Sequence, residues 1–251
     1  MKPRKSLFNP ELRRRGIYLL PNLFTSAALF AGFFSIVMAM QGRFEEASIA
    51  IFVAMVLDGL DGRIARLTRT QSAFGAEFDS LSDMVSFGVA PALVSYEWAM
   101  RDLGRLGWIA AFVYCVSAAL RLARFNTSPL SDKIYFQGLP SPAAAALVGG
   151  FVWVMTDNGF QGHELRYATV GLLFFAALSM VSNVHFHSFK NFNLRKSVPF
   201  IFVGALALAY VLIASYPPGV LFAIFVAYVL SGYLLALWRL FIRKKLPKMG
   251  E

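Results

Sequence analysis

Apolar runs of about 20 residues recur along the whole of this chain, each bounded by short polar or basic stretches. A run of that length crosses the hydrocarbon core of a bilayer as one helix. In hydrocarbon every backbone N–H and C=O must find its partner within the segment, which a helix provides. The runs fall at roughly residues 21–41, 45–67, 76–100, 107–127, 139–157, 166–184, 198–215 and 218–242. The expected fold is therefore all-α: a polytopic membrane helix bundle of about eight transmembrane helices. Of the 251 residues, 57% are hydrophobic and 15% charged, whereas soluble domains carry about a quarter charged. No stretch outside the runs is long enough to form a soluble domain. Pro217-Pro218 forces a tight connection between the last two runs.

The formal charge of +10 lies in short segments between the runs. That placement reads as topology and as affinity for anionic membrane lipids, not as a nucleic-acid surface. With the N-terminus placed in the cytoplasm and the spans alternating, all but four of the 24 Lys and Arg fall on the cytoplasmic side. The exceptions are Arg43, Arg101, Arg105 and Arg166. Both termini are thus expected in the cytoplasm. Residues 1–17 read as a basic tail or an interfacial helix, and they lack the small-residue cleavage site of a signal peptide. A single thiol, Cys115, forms no internal disulfide and reads as a small buried hydrophobe.

Four aspartates interrupt this apolar chain, in the stretch DGLDGRIARLTRTQSAFGAEFDSLSD. Asp58 and Asp61 are three apart, and Asp79 and Asp83 are four apart, so each pair shares one face of a helix. Carboxylates at membrane depth are expensive and mark functional sites. By the alternation of spans, both pairs lie at the cytoplasmic ends of neighbouring helices and face each other. Two facing pairs of hard oxygen ligands suit a divalent metal that also grips phosphate. The competing reading is a set of helix caps or ion pairs with Arg63, Arg66 and Arg69.

The full pattern is Asp58, two residues, Asp61-Gly62, two residues, Ala65-Arg66, eight residues, Gly75, three residues, Asp79, three residues, Asp83. It resembles, without departure, the signature of the CDP-alcohol phosphatidyltransferase family. The resemblance implies that Asp58, Asp61 and Asp79 are metal ligands, and that Asp83 is a ligand and the general base. The residues fit that chemistry independently. Gly62 and Gly75 leave room for a nucleotide against backbone, Ala65 keeps its face open, and Arg66 offers a planar fork to a phosphate oxygen. A pyrophosphate beside four carboxylates requires cations between them. One or two divalent ions are implied, two being the expectation, and an all-oxygen ligand set favours Mg2+ or Mn2+.

Flanking stretches narrow the resemblance to the integral-membrane branch that transfers a phosphatidyl group from CDP-diacylglycerol to L-serine. They are Leu20-Pro21-Asn22-Leu23-Phe24-Thr25, the run from Asp79 to Pro91, Ala123-Arg124-Phe125-Asn126, and the run from Phe136 to Pro142. Residues 18–197 then form the catalytic core, and residues 198–251 add two spans and a basic tail. The implied setting is the cytoplasmic membrane of a prokaryote, with the site facing the cytoplasm. Asn22 and Thr25 are implied near the nucleotide; Asn22 also reads as a helix N-cap. Arg121, Arg124 and Lys133 are expected to hold the serine carboxylate or the donor phosphates, or only to mark the cytoplasmic flank. Ser86, Asn126 and Gln137 are weaker polar candidates. His185 and His187 read as interfacial residues more than as metal ligands. Gly149-Gly150 and Ala143 to Ala146 suggest close helix contact, for which a homodimer interface is one place. Two rival readings stand beside this one: a relative that uses glycerol 3-phosphate, inositol phosphate or choline, and a cation-coupled transporter.

Overall fold

The computed structural model describes residues 10–127, 135–187 and 200–245. The fold is all-α apart from one short strand pair. Helix α1 (Pro10–Met40) and helix α2 (Phe44–Thr68) form an antiparallel pair. The turn between them needs Gly42, whose φ is +75°, and its N–H donates to the Ala39 carbonyl at 2.9 Å. The first helix begins at Pro10 and runs through Pro21, so Asn22 sits inside it and caps nothing. Arg69 ends α2 in a left-handed conformation, its N–H donating to the Ala65 and Arg66 carbonyls.

Helix α3 (Ala73–Asp83) starts at Ser72, whose hydroxyl accepts the Gly75 N–H at 3.0 Å. The chain then continues through a π-helical turn, Met84–Val89, into α4 (Ala90–Ser95) and a second π turn, Tyr96–Met100. Each π turn rotates the faces that follow it, and such turns are frequent beside functional sites. Helices α5 (Arg105–Thr127), α6 (Ser141–Asp157), α7 (Arg166–Val181), α8 (Phe200–Ser215) and α9 (Pro217–Lys245) complete the bundle. Every apolar run of the sequence therefore carries a helix. By length and composition, Leu20–Met40, Arg105–Thr127 and Pro217–Trp238 are long and apolar enough to cross a membrane. The chain has the build of an integral membrane protein.

Helix α6 forms the centre of the bundle. Ala143 to Ala146, Gly149 and Gly150 are all buried within the chain itself. A Cβ on Gly149 would press on Ile51 of α2, and one on Gly150 on Phe222 of α9. The close helix contact expected of this small-residue stripe is present, and it is made within one chain, not at a dimer interface. Small side chains let backbones approach closely, which is the main source of helix association where lipid removes the hydrophobic difference.

No local pattern marks strands β1 (Tyr135–Gln137) and β2 (His185–His187), which pair antiparallel with Gln137 opposite His185 and Phe136 opposite Phe186. Gly138 follows at φ +79°, packed so tightly on the Met180 carbonyl that no side chain fits.

Candidate active site

Asp58 and Asp61 lie near the end of α2, and Asp79 and Asp83 on α3. The tight cap at Arg69 and the Ser72 N-cap turn the chain so that the two acidic faces meet. Asp58, Asp61 and Asp79 each offer one carboxylate oxygen, and these three atoms all lie within 4.8 Å of one another. Asp83 stands beside this triad, its carboxyl against those of Asp58 and Asp79. Asp61 is only 5% exposed. Asp79 Oδ1 and Asp83 Oδ1 are buried without a hydrogen-bond partner among the described residues.

Four carboxylates crowded in a poorly hydrated site repel one another and lose their hydration. Orphaned, converging, all-oxygen atoms of this kind match the donor set of a divalent cation. The cap and ion-pair reading fails among the described residues, where the ion pairs are Arg43–Glu46 and Arg101–Glu97, both remote from the aspartates in sequence and on other turns.

Thr25, implied near the nucleotide, turns its hydroxyl to the carboxylate cluster. It donates to Asp61 Oδ2 at 2.7 Å, with the Pro21 carbonyl a longer acceptor at 3.2 Å, and the residue is 3% exposed. Ser82 then donates to the Thr25 carbonyl at 3.2 Å, tying α3 to α1. Asn22 borders Gly75: a Cβ there would come 3.5 Å from Asn22 Oδ1 and 3.1 Å from Ser72 Oγ. Arg66 folds back over Gly62, its terminal nitrogen 3.5 Å from where a Cβ would stand. Gly62, Ala65 and Gly75 are half-buried, and Arg66 is exposed.

The C-terminal end of α5 forms the opposite wall. Arg121 faces Asp83 and Asp58 and donates to Ser141 Oγ, at the first residue of α6, at 2.7 Å. Arg124 turns aside to Gln137 on β1 and to Asn183 Oδ1, the latter at 2.8 Å. The two arginines are one turn apart but hold different partners. Asn126 Nδ2 donates to Ser80 Oγ, beside Asp79, at 2.9 Å. Ser86 is fully buried and donates to the Ala28 carbonyl of α1 at 3.1 Å. It therefore packs helices and does not open onto the site, contrary to its place among the binding candidates. Lys133 lies outside the described residues.

The fold also brings in Ser141, Ser80 and Asn183, which the sequence does not single out. Ser141 and Ser80 lie within the flanking stretches, but nothing in their spacing distinguishes them from helix starts and caps. Asn183 comes from a chain segment far away in sequence, and only folding brings it to α5.

A model of the CDP-alcohol phosphatidyltransferase family matches residues 18–182. A Helicobacter pylori protein named CDP-diacylglycerol–serine O-phosphatidyltransferase is 44% identical over 177 residues, covering 69% of this chain and 74% of that one. Proteins of the same name from Methanocaldococcus jannaschii and Mycobacterium tuberculosis are 38% and 40% identical, covering 64% and 58% of this chain and 71% and 54% of their own. The aspartate pattern that converges between α2 and α3 lies wholly within the matched residues. The chain belongs to the CDP-alcohol phosphatidyltransferase family.

Proposed function

We propose that this protein transfers the phosphatidyl group of CDP-diacylglycerol to the hydroxyl of L-serine and releases CMP. The observation that carries the reading is the convergence of the Asp58, Asp61 and Asp79 oxygens within 4.8 Å beside a buried Asp83. The acceptor assignment draws on the relatives named for that reaction.

Asp58, Asp61 and Asp79 would hold divalent metal, Mg2+ or Mn2+ and two ions by the charge to be balanced, with Asp83 at its margin. When bound, the metal neutralises the charge that develops on the phosphates and on departing CMP. The chain's own residues do the rest. Gly62 and Gly75 admit the cytidine diphosphate to the backbone, and Arg66 receives a phosphate oxygen. Asp83 accepts the proton of the serine hydroxyl as its oxygen forms a bond to the phosphorus that bears the diacylglycerol. The bond from that phosphorus to the CMP oxygen breaks in the same displacement. Thr25 holds Asp61 in one orientation. Arg121, opposite Asp83, takes the serine carboxylate or a donor phosphate.

Eight spans with both termini in the cytoplasm place the carboxylates at the inner leaflet of a prokaryotic cytoplasmic membrane. Residues 18–197 form the core.

Washed membranes carrying the protein, given CDP-diacylglycerol and labelled serine, should form labelled phosphatidylserine and release CMP. Chelation of divalent metal should abolish both, and Mg2+ or Mn2+ should restore them. Release of CMP that ignores serine but follows glycerol 3-phosphate, inositol phosphate or choline would reassign the acceptor. Cation flux without CMP release would favour a transporter.

A further inference from the structure

Helix α5 and the stretch from α3 into the first π turn run antiparallel, and three contacts set their register. The Tyr114 hydroxyl donates to the Phe87 carbonyl at 3.1 Å. A Cβ on Gly88 would stand 3.3 Å from that of Ala118. Asn126 Nδ2 donates to Ser80 Oγ at 2.9 Å. Arg121 and Asp83 both fall between the second and third of these contacts, on facing stretches of chain. Ser80 and Asp83 share one face of α3, so the Asn126 amide is anchored one turn from Asp83. Counting protons fixes the orientation of that amide. The single hydroxyl hydrogen of Ser80 goes to the Ala76 carbonyl at 3.0 Å. Ser80 Oγ can then only accept, and the amide must present its nitrogen to it. The Asn126 oxygen is left without a hydrogen bond among the described residues, on an exposed side chain that a dissolved substrate can reach.

We propose that Asn126 gives the site its preference for an amino alcohol: its amide oxygen accepts the ammonium of serine. This rests on the functional reading above, in which Asp83 takes the hydroxyl proton and Arg121 serves an anionic group. Serine brings three groups to one pocket, and the ammonium is the one still without a partner. The oxygens of the aspartates are turned to metal, so the ammonium needs an acceptor of its own. An amide whose nitrogen is already fixed by Ser80 supplies one, and its hydrogen bond to a cation is charge-assisted. Glycerol 3-phosphate and inositol phosphate bring no cation to that oxygen. The quaternary nitrogen of choline carries no hydrogen to donate to it. The contact therefore selects for a primary ammonium beside the reacting hydroxyl.

The test uses the full-length protein in detergent–lipid micelles with CDP-diacylglycerol, serine and Mn2+, and reads CMP release. Asn126→Ala should raise the KM for serine by about tenfold or more while kcat stays within about twofold. β-Hydroxypropanoate is serine without its ammonium, and serves as a competitor. Its inhibition constant should differ by less than about twofold between Asn126→Ala and the parent, because the group that Asn126 holds is missing from it. Ser80→Ala frees the amide and should raise the serine KM by a smaller factor, about two- to threefold. Asn126→Asp keeps an oxygen acceptor and should hold the serine KM within about threefold of the parent. Affinities for CMP and Mn2+ should be the same in Asn126→Ala and the parent, which damage to α3 would not allow. Glu77, exposed on α3, is the rival acceptor, and Glu77→Gln should leave the serine KM unchanged. An unchanged serine KM in Asn126→Ala, or equal losses for serine and β-hydroxypropanoate, would overturn the proposal. If Asn126→Ala is too unstable to assay, Asn126→Asp decides, and a rise of about tenfold in its serine KM would overturn the proposal as well. A parent protein inactive with serine would instead refute the functional reading.

Discussion

Asp61 shows how one side chain is prepared for its task. It is nearly inaccessible, shares a cluster with two other carboxylates, and receives a hydrogen bond from Thr25. Partners that orient metal ligands typically change metal affinity by ten- to a hundredfold when removed. Thr25→Val should therefore weaken Mn2+ binding by about tenfold or more, and Thr25→Ser should retain it, as read by paramagnetic resonance titration. An unchanged affinity in Thr25→Val would show that the hydroxyl serves helix packing alone. Asp83 has a different place, beside the oxygen triad and not within it. If it is the base, Asp83→Asn should lower kcat by about 10²- to 10⁴-fold while CMP and Mn2+ still bind. The aspartates are legible in the sequence because a carboxylate in an apolar run is too costly to keep without a function. Thr25 is legible as a site residue, but its partner is not: the contact spans 36 positions and depends on how α1 crosses α2.

Elements set the angle at which those residues meet. The π turn after Asp83 carries Ser86, which seats against α1 where Gly32 leaves room; a Cβ on Gly32 would collide with both the backbone and the hydroxyl of Ser86. Gly32→Ala should thus destabilise the protein by about 1–3 kcal/mol, because neither helix backbone can give way cheaply. It should also reduce turnover by displacing α3. Gly171 of α7 has no neighbour within 4 Å of such an atom, so Gly171→Ala should be neutral or slightly stabilising. Thermal unfolding of the two variants side by side decides the matter, and equal losses would contradict a tight α1 contact at Ser86. Helix positions are readable from run lengths, since each run has to satisfy its own backbone in lipid. The π turns and the strand pair are not, because they arise from contacts such as Gly138 against Met180 that no local pattern announces.

At the scale of the whole molecule, charge distribution sets orientation and packing sets the interior. With Cys115 replaced by Ala, a cysteine introduced at Gln161 should react with an impermeant maleimide added to intact cells. One at Arg69 should react only after the membrane is opened. The opposite pattern would invert the topology and move the aspartates away from the cytoplasm. Run length, basic flanks and the spacing of eight motif positions were enough to establish a helical membrane protein, its family and its four central carboxylates. Those features are local: each follows from what a single segment must do in lipid, or from the fixed spacing of one short stretch, Asp58 to Asp83. The fates of Ser86, Arg124 and the α6 glycines were decided by the assembled fold. A small or polar residue suits a helix contact, a dimer seam and a binding site equally well, and only the helix that folds against it selects among them.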